Sequence, residues 1–281
     1  MGSRMSKPVL YVFGLSVWAA APQLAIVELG YAPDAIKQKV VNLAEGANFT
    51  PGFLKLNPNA TLPTFTSVDG KNFTNTYDVI KYLAQHAPKK VAPGDKAFLD
   101  RIHEDSIDPN FIIFAVRNEE ELKAASSGFP HTFLENRQSS LIKNSQTPEA
   151  APFKAFYDAK IPVNGGLLDL FSGKASESDK KAFFELSAKH WENISNFIVN
   201  ELPTVLPDSG FIGGEIPGEA DFHLGAWLAR VAHILGGKNA QGEYKVFEKE
   251  TKVPVPTKVA AYFDAWVTRP SWQQVYAEGL H

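Results

Sequence analysis

The ten residues HAPKKVAPGD, 86 to 95, divide the chain into two textures and so constrain most of what it can become. Two prolines and a glycine this close together stop both helix and strand. Ahead of them, short apolar runs alternate with helical patterns. Val9 to Phe13 predicts a buried strand between Pro8 and Gly14, and Leu24, Ile26, Val27 and Leu29 predict a helix ending at Gly30. Lys39 to Leu43 predicts a second strand, and two strands joined by one helix imply a right-handed βαβ crossover. Leu62 to Val68 predicts a third strand, with the Asp-Gly of VDGKNF turning into a fourth. Tyr77 to Gln85 then carries a helical apolar face. The order is βαβ followed by ββα, over a domain expected at 8–86 with a linker at 87–95.

Beyond the linker the periodicity is helical, which predicts an all-α domain over 96–281. Phe184, Trp191, Ile194 and Ile198 recur at helical spacing, as do Leu224, Leu228, Val231 and Leu235, and then Val259, Tyr262, Phe263 and Trp266. These aromatics read as core before they read as ligand wall. Between Ser126 and Lys181 the pattern is broken by Pro130, Pro148, Pro152, Pro162 and the pair Gly165-Gly166, which predicts shorter helices and loops. NEEEL at 118–122 reads as a solvated helix face.

Composition excludes several functions. A net charge of -3 provides no basic footprint for nucleic acid or anionic lipid, so neither is an expected partner. The 281 residues contain no cysteine, which rules out disulfides, thiolate zinc sites and a cysteine nucleophile; any thiol must come from a ligand. The seven histidines lack metal spacing; RIHEDS has no second histidine four residues on, so no metal is expected. No apolar run suits a signal or a membrane span, which predicts a cytoplasmic protein. Met5 reads as the natural start, with Met1 to Arg4 ahead of it as a cloning remnant.

The chemistry question centres on Ser16 in LYVFGLSVWAAAPQLAIVELG, residues 10–30. A hydrolase elbow needs small residues on both flanks of its serine, and here the second flank is Trp18. Pro22 has no N–H and clashes with the carbonyl four residues back, which predicts a helix beginning near Ala20 or later. Ser16 would then precede the helix and not cap it, leaving the amides of Val17 and Trp18 as the nearby donors. A plain turn serine remains an open reading.

Several local motifs, taken together, resemble glutathione transferases over about 260 residues. FLKLNPNATLPTF (53–65) is similar to the stretch that runs through Asn-Pro to a cis-proline heading the third strand, and DGKNFTNTYDVIKYL (69–83) to the element that follows it. GEIPGEADFHLGAWLARV resembles the family's helix-capping segment, with Gly218 in place of the hydroxyl and Asp221 kept; RPSWQQV resembles its closing helix. VWAAAP and the long second domain look most like the fungal-specific class A of basidiomycetes. The resemblance implies an α/β thioredoxin-like N-terminal domain followed by an all-α C-terminal domain.

It also implies roles. Ser16 would hydrogen-bond the glutathione thiolate and not attack. Glutathione would lie along Val17, Trp18, Thr61, Leu62 and Pro63, with Leu62-Pro63 cis. Thr76 would hold the γ-glutamyl carboxylate at a helix start. Asn75 stands where the family carries a Glu or Gln near the γ-glutamyl ammonium, and losing that charge would weaken binding by about 1 to 2 kcal/mol if uncompensated. Trp18, with Phe111 and Phe114 on the first long helix of the second domain, would border a small hydrophobic or aromatic electrophile. Glutathione is then a co-substrate, with no cofactor, and a homodimer is expected. Three readings stand: a detoxification transferase, a ligandin that stores hydrophobic metabolites with little turnover, and an interaction module that binds no peptide.

Overall fold

The computed structural model describes residues 7–281, so the expected start at Met5 and the remnant before it lie outside the described residues. β1 (Val9–Val12), α1 (Val17–Glu28) and β2 (Lys37–Val40) form the first crossover; β3 (Thr64–Thr66), β4 (Asn72–Phe73) and α3 (Thr76–His86) follow α2 (Pro51–Leu54). The four strands form one mixed sheet in the order β2-β1-β3-β4. β1 runs antiparallel to β3 with Tyr11 opposite Thr64, and β3 antiparallel to β4 with Phe65 opposite Phe73. Gly70, at φ +83°, makes the β3–β4 turn, as its Asp-Gly sequence predicts. The remainder is helical: α4 (Lys96–Ile102), α5 (Glu119–Ser126), α6 (Phe129–Ser145), α7 (Lys154–Phe171), α8 (Glu177–Asn196), a π turn (Phe197–Glu201), α9 (Leu202–Val205), α10 (Glu219–Ile234), α11 (Glu248–Thr251), α12 (Thr257–Val267) and α13 (Pro270–Val275). The architecture is thus a thioredoxin-like α/β part followed by an all-α part.

Two compact units group these elements. The first comprises the residues up to Lys39 with Leu62–Ile112 and His190–His281; the second comprises Val40–Thr61 and Ile113–Lys189. The first unit is built around α1 and α10, both buried on nearly every side and packed on each other, with α3 and α13 also against α1. Trp227, Trp266, Trp272, Phe222 and Phe263 fill its helical core. Asp221, fully buried at the start of α10, accepts hydrogen bonds from the amides of Ile212, Gly213 and Gly218 and from the Tyr262 hydroxyl, at 2.7–2.8 Å. The capping role expected of Asp221 is therefore met without the partner hydroxyl that Gly218 lacks. The second unit packs Phe49, Leu54, Leu141 and Tyr157 in one cluster and Val116, Leu134, Leu170 and Phe171 in another.

Three expectations are corrected. α1 begins at Val17, with Pro22 inside it, and not near Ala20. Pro22 forfeits the bond to the Trp18 carbonyl, but Leu24, Ala25, Ile26 and their neighbours are buried, and that burial outweighs one lost hydrogen bond. β2 lies at Lys37–Val40, with all four residues exposed, and not at the more apolar Lys39 to Leu43. The stretch 126–181 holds two long helices in place of short ones: Pro162 and the glycine pair lie within α7. There Gln138 of α6 donates to the Ile161 carbonyl at 3.2 Å, and a Cβ on Gly165 would sit 3.1 Å from its Nε2. The glycine thus permits a close helix–helix approach that sequence periodicity cannot reveal.

Candidate functional site

The sheet register brings three chain segments to one end of the sheet. β1 leaves it toward α1, β3 enters it after Pro63, and antiparallel β4 leaves it toward α3. Ser16, Leu62-Pro63 and Asn75-Thr76 therefore share that end. Leu62-Pro63 is cis, and Leu62 and Pro63 are buried.

Ser16 caps α1 in an extended conformation, contrary to the expectation that Pro22 would push the helix away from it. Its Oγ accepts from the Ala19 amide at 3.3 Å, and its carbonyl accepts from Ala19 and Ala20 at 3.1 Å. The side chain is buried. Because the cap uses an oxygen lone pair, the hydroxyl proton is left to donate elsewhere. Val17 and Trp18 open the helix, where amides have no intrahelical acceptor and the dipole is positive. Serine oxygen, amide donors and helix dipole thus meet at one helix end, where negative charge is favoured over positive.

Trp18 is half-buried and rests on the ring of His103, the C-cap of α4, at 4.0 Å between centroids. His103 Nε2 lies 2.7 Å from Nδ1 of His223 on α10. Burial pushes the His103 imidazole down to about 4 and that of His223 well below its ordinary value, so the pair is neutral at neutral pH. Phe111 and Phe114 are placed differently from expectation: α4 ends at Ile102, Phe111 lies in a 3-10 turn, and Phe114 follows that turn. The Phe111 ring lies tilted against that of His190, 4.6 Å between centroids, whereas Phe114 packs on the Leu134 and Phe171 cluster of the second unit. The ring against Trp18 is that of His103.

At the start of α3, Asn75 is an exposed N-cap whose Oδ1 accepts from the Asp78 amide at 2.8 Å while its Nδ2 donates to the Asp78 carboxylate at 2.7 Å. Thr76 is the buried first residue of that helix. Thr61 belongs to the second unit, where its carbonyl and Oγ1 accept from Asn57 Nδ2 at 2.9 and 3.1 Å. Among the described residues, no three His, Cys, Asp or Glu side chains gather as a metal site.

Two residues near Ser16 carry no sequence signal. His103 reaches Trp18 across 85 residues of chain, and Arg230 of α10 donates through Nη2 to the carbonyl of Leu15. Arg230 stands in GEIPGEADFHLGAWLARV and His103 in RIHEDS, but neither stretch points to Ser16; the packing of α4 and α10 brings them here.

A four-stranded mixed sheet built as βαβ then ββα and followed by helices is the thioredoxin-like class with a helical second part. Solved structures of that class match over nearly the whole chain. They include the beta-etherase LigF from Sphingobium sp. strain SYK-6, at 15% identity over 97% of this chain and 100% of that one, with a TM-score of 0.60. Gtt2 from Saccharomyces cerevisiae matches at 14% identity over 95% and 99%, with a TM-score of 0.55. The glutathione transferase URE2P8 from Phanerochaete chrysosporium, solved with oxidized glutathione, matches at 17% over 99% and 96%, with a TM-score of 0.52. The structural neighbours are thus glutathione transferases at low identity, and they show the fold. No protein-family model and no curated protein matches the sequence.

Proposed function

We propose that the chain is a glutathione transferase of serine type, in which Ser16 donates a hydrogen bond to the sulfur of bound glutathione. The observation that carries this reading is the Ser16 cap, whose hydroxyl proton stays available at the positive end of α1. A free thiol with its pKa near 8.5 is only a few per cent ionised at neutral pH. Lowering it by about two units takes roughly 2.7 kcal/mol, of which one hydrogen bond to a charged group supplies about 1.5 to 3 kcal/mol. The Val17 and Trp18 amides supply the remainder. The thiolate sulfur then forms a bond to a small hydrophobic or aromatic electrophile, and the electrophile's electron pair leaves with its leaving group or takes up a proton.

In this reading the backbone of Leu62, ahead of Pro63, pairs with the cysteinyl portion of glutathione, and Thr76 at the start of α3 receives the γ-glutamyl carboxylate. Thr61 precedes that edge. Asp78, hydrogen-bonded to Asn75, restores next to the ammonium the negative charge that Asn75 lacks. Trp18, backed by His103, offers an aromatic surface to the electrophile. The division at 87–95, a homodimer, a cytoplasmic setting and kinship with fungal-specific class A complete the proposal.

Retention on immobilised glutathione tests binding, and Ser16→Ala tests chemistry. The variant is expected to raise the midpoint of thiol ionisation by about 1 to 2 units and to lower turnover at neutral pH about 10- to 100-fold. Full activity with an unmoved midpoint would remove Ser16 from the mechanism. Asn75 favours a second reading, a ligandin: with both ends of its amide engaged, it cannot turn toward a ligand without breaking the α3 cap. Displacement of a fluorescent apolar dye without turnover would support that reading.

A further inference from the structure

Arg230 is 3% exposed in the C-terminal half of α10. A buried guanidinium ordinarily faces a carboxylate. This one forms no ion pair among the described residues; its Nη2 donates to the Leu15 carbonyl, and its Nε has no hydrogen-bond partner. Burial lowers its ionisation only to about 10, so it is charged at neutral pH. Leu15 is the residue before Ser16, and the turn is closed by the Ser16 amide donating to the Phe13 carbonyl at 2.8 Å. The groups electrostatically coupled to Arg230 are Asp108, His233 on α10, and Tyr276 and His281 near the end of the chain. Burial pushes the Asp108 carboxyl and the Tyr276 hydroxyl up and both histidines down, and none of the four forms an ion pair with Arg230 among the described residues.

We propose that Arg230 is the positioning residue of the Ser16 corner: it pins the carbonyl of Leu15, the residue before the serine, and its buried charge, outside any ion pair among the described residues, favours a thiolate at that corner. The inference rests on the transferase reading above. A neutral donor could hold the same carbonyl, so the presence of a cation, retained at the desolvation cost of burial, is what points beyond packing. The Arg230–Leu15 contact orients the hydroxyl, and the charge adds to the field of the α1 terminus, which acts in the same direction.

The test compares Arg230→Gln, which keeps a donor and loses the charge, with Arg230→Lys, which keeps the charge. The ultraviolet absorbance of bound glutathione thiolate is titrated against pH alongside the melting temperature. The Gln variant is expected to raise the ionisation midpoint by about one unit, a roughly tenfold loss of thiolate at neutral pH, while the Lys variant stays near wild type. Arg269→Gln, a change at the other end of α1, serves as the control for packing and is expected to lower the melting temperature without moving the midpoint. An unmoved midpoint in a folded Gln variant overturns the proposal; so does a Lys variant whose midpoint rises as far as the Gln variant's. If the wild-type chain fails to bind glutathione in calorimetry, the transferase reading falls and this one with it. Binding with a normal wild-type titration confines any failure to Arg230.

Discussion

At Asp221 one carboxylate accepts four hydrogen bonds inside the protein, three of them from backbone amides that would otherwise be orphaned. Asparagine has the same shape, but its NH2 would face donors. Asp221→Asn is therefore expected to cost about 2 to 4 kcal/mol in urea unfolding, more than the roughly 1 kcal/mol for Tyr262→Phe, which deletes one donor. An Asn variant no less stable than the Phe variant would contradict the bonding described. The Asp221 cap is legible in sequence because Gly218 lies three residues before it, whereas the equally local Ser16–Ala19 cap is masked by Pro22, which points to a later helix start. His103 and Arg230 are not legible as neighbours of Ser16, since they meet Trp18 and Leu15 from α4 and α10, and no spacing rule connects them.

At the level of elements, alternating strands and helices were readable up to the linker, and so were the apolar faces of α8, α10 and α12. Around Pro22 and in α7 packing outweighs local propensity, whereas exposed β2 is set by its place at the sheet edge beside β1 and carries no apolar signal. Gly225 shows the converse. Ala is the better helix former by about 1 kcal/mol. Yet a Cβ at Gly225 would lie 2.8 Å from the fully buried ring of Trp266 on α12. Gly225→Ala is thus expected to destabilise the chain by about 1 to 3 kcal/mol, read as a lowered urea midpoint at constant slope. A gain in stability would mean that α10 and α12 are not so closely apposed.

Across the whole molecule, burial lowers the ionisation of His103, His190, His223, His233 and His281. The folded chain then binds fewer protons than the unfolded chain wherever these imidazoles would ordinarily be charged. Stability should therefore be full above about pH 6.5 and fall as the pH drops toward about 4, with His103 alone contributing on the order of 3 kcal/mol. Melting temperatures measured across that window check this, and a flat profile would refute the burial of the His103–His223 pair. One feature also bears on how the chain is made. The start of α1 is tied to Arg230, 215 residues later, and its buried end residue Glu28 to Arg269 and Ser271, 241 and 243 residues later. Contacts so distant in sequence form slowly. A ribosome therefore releases β1 and α1 long before their anchors exist; the serine corner waits for Arg230, and the far end of α1 waits longer, for Arg269 and Ser271.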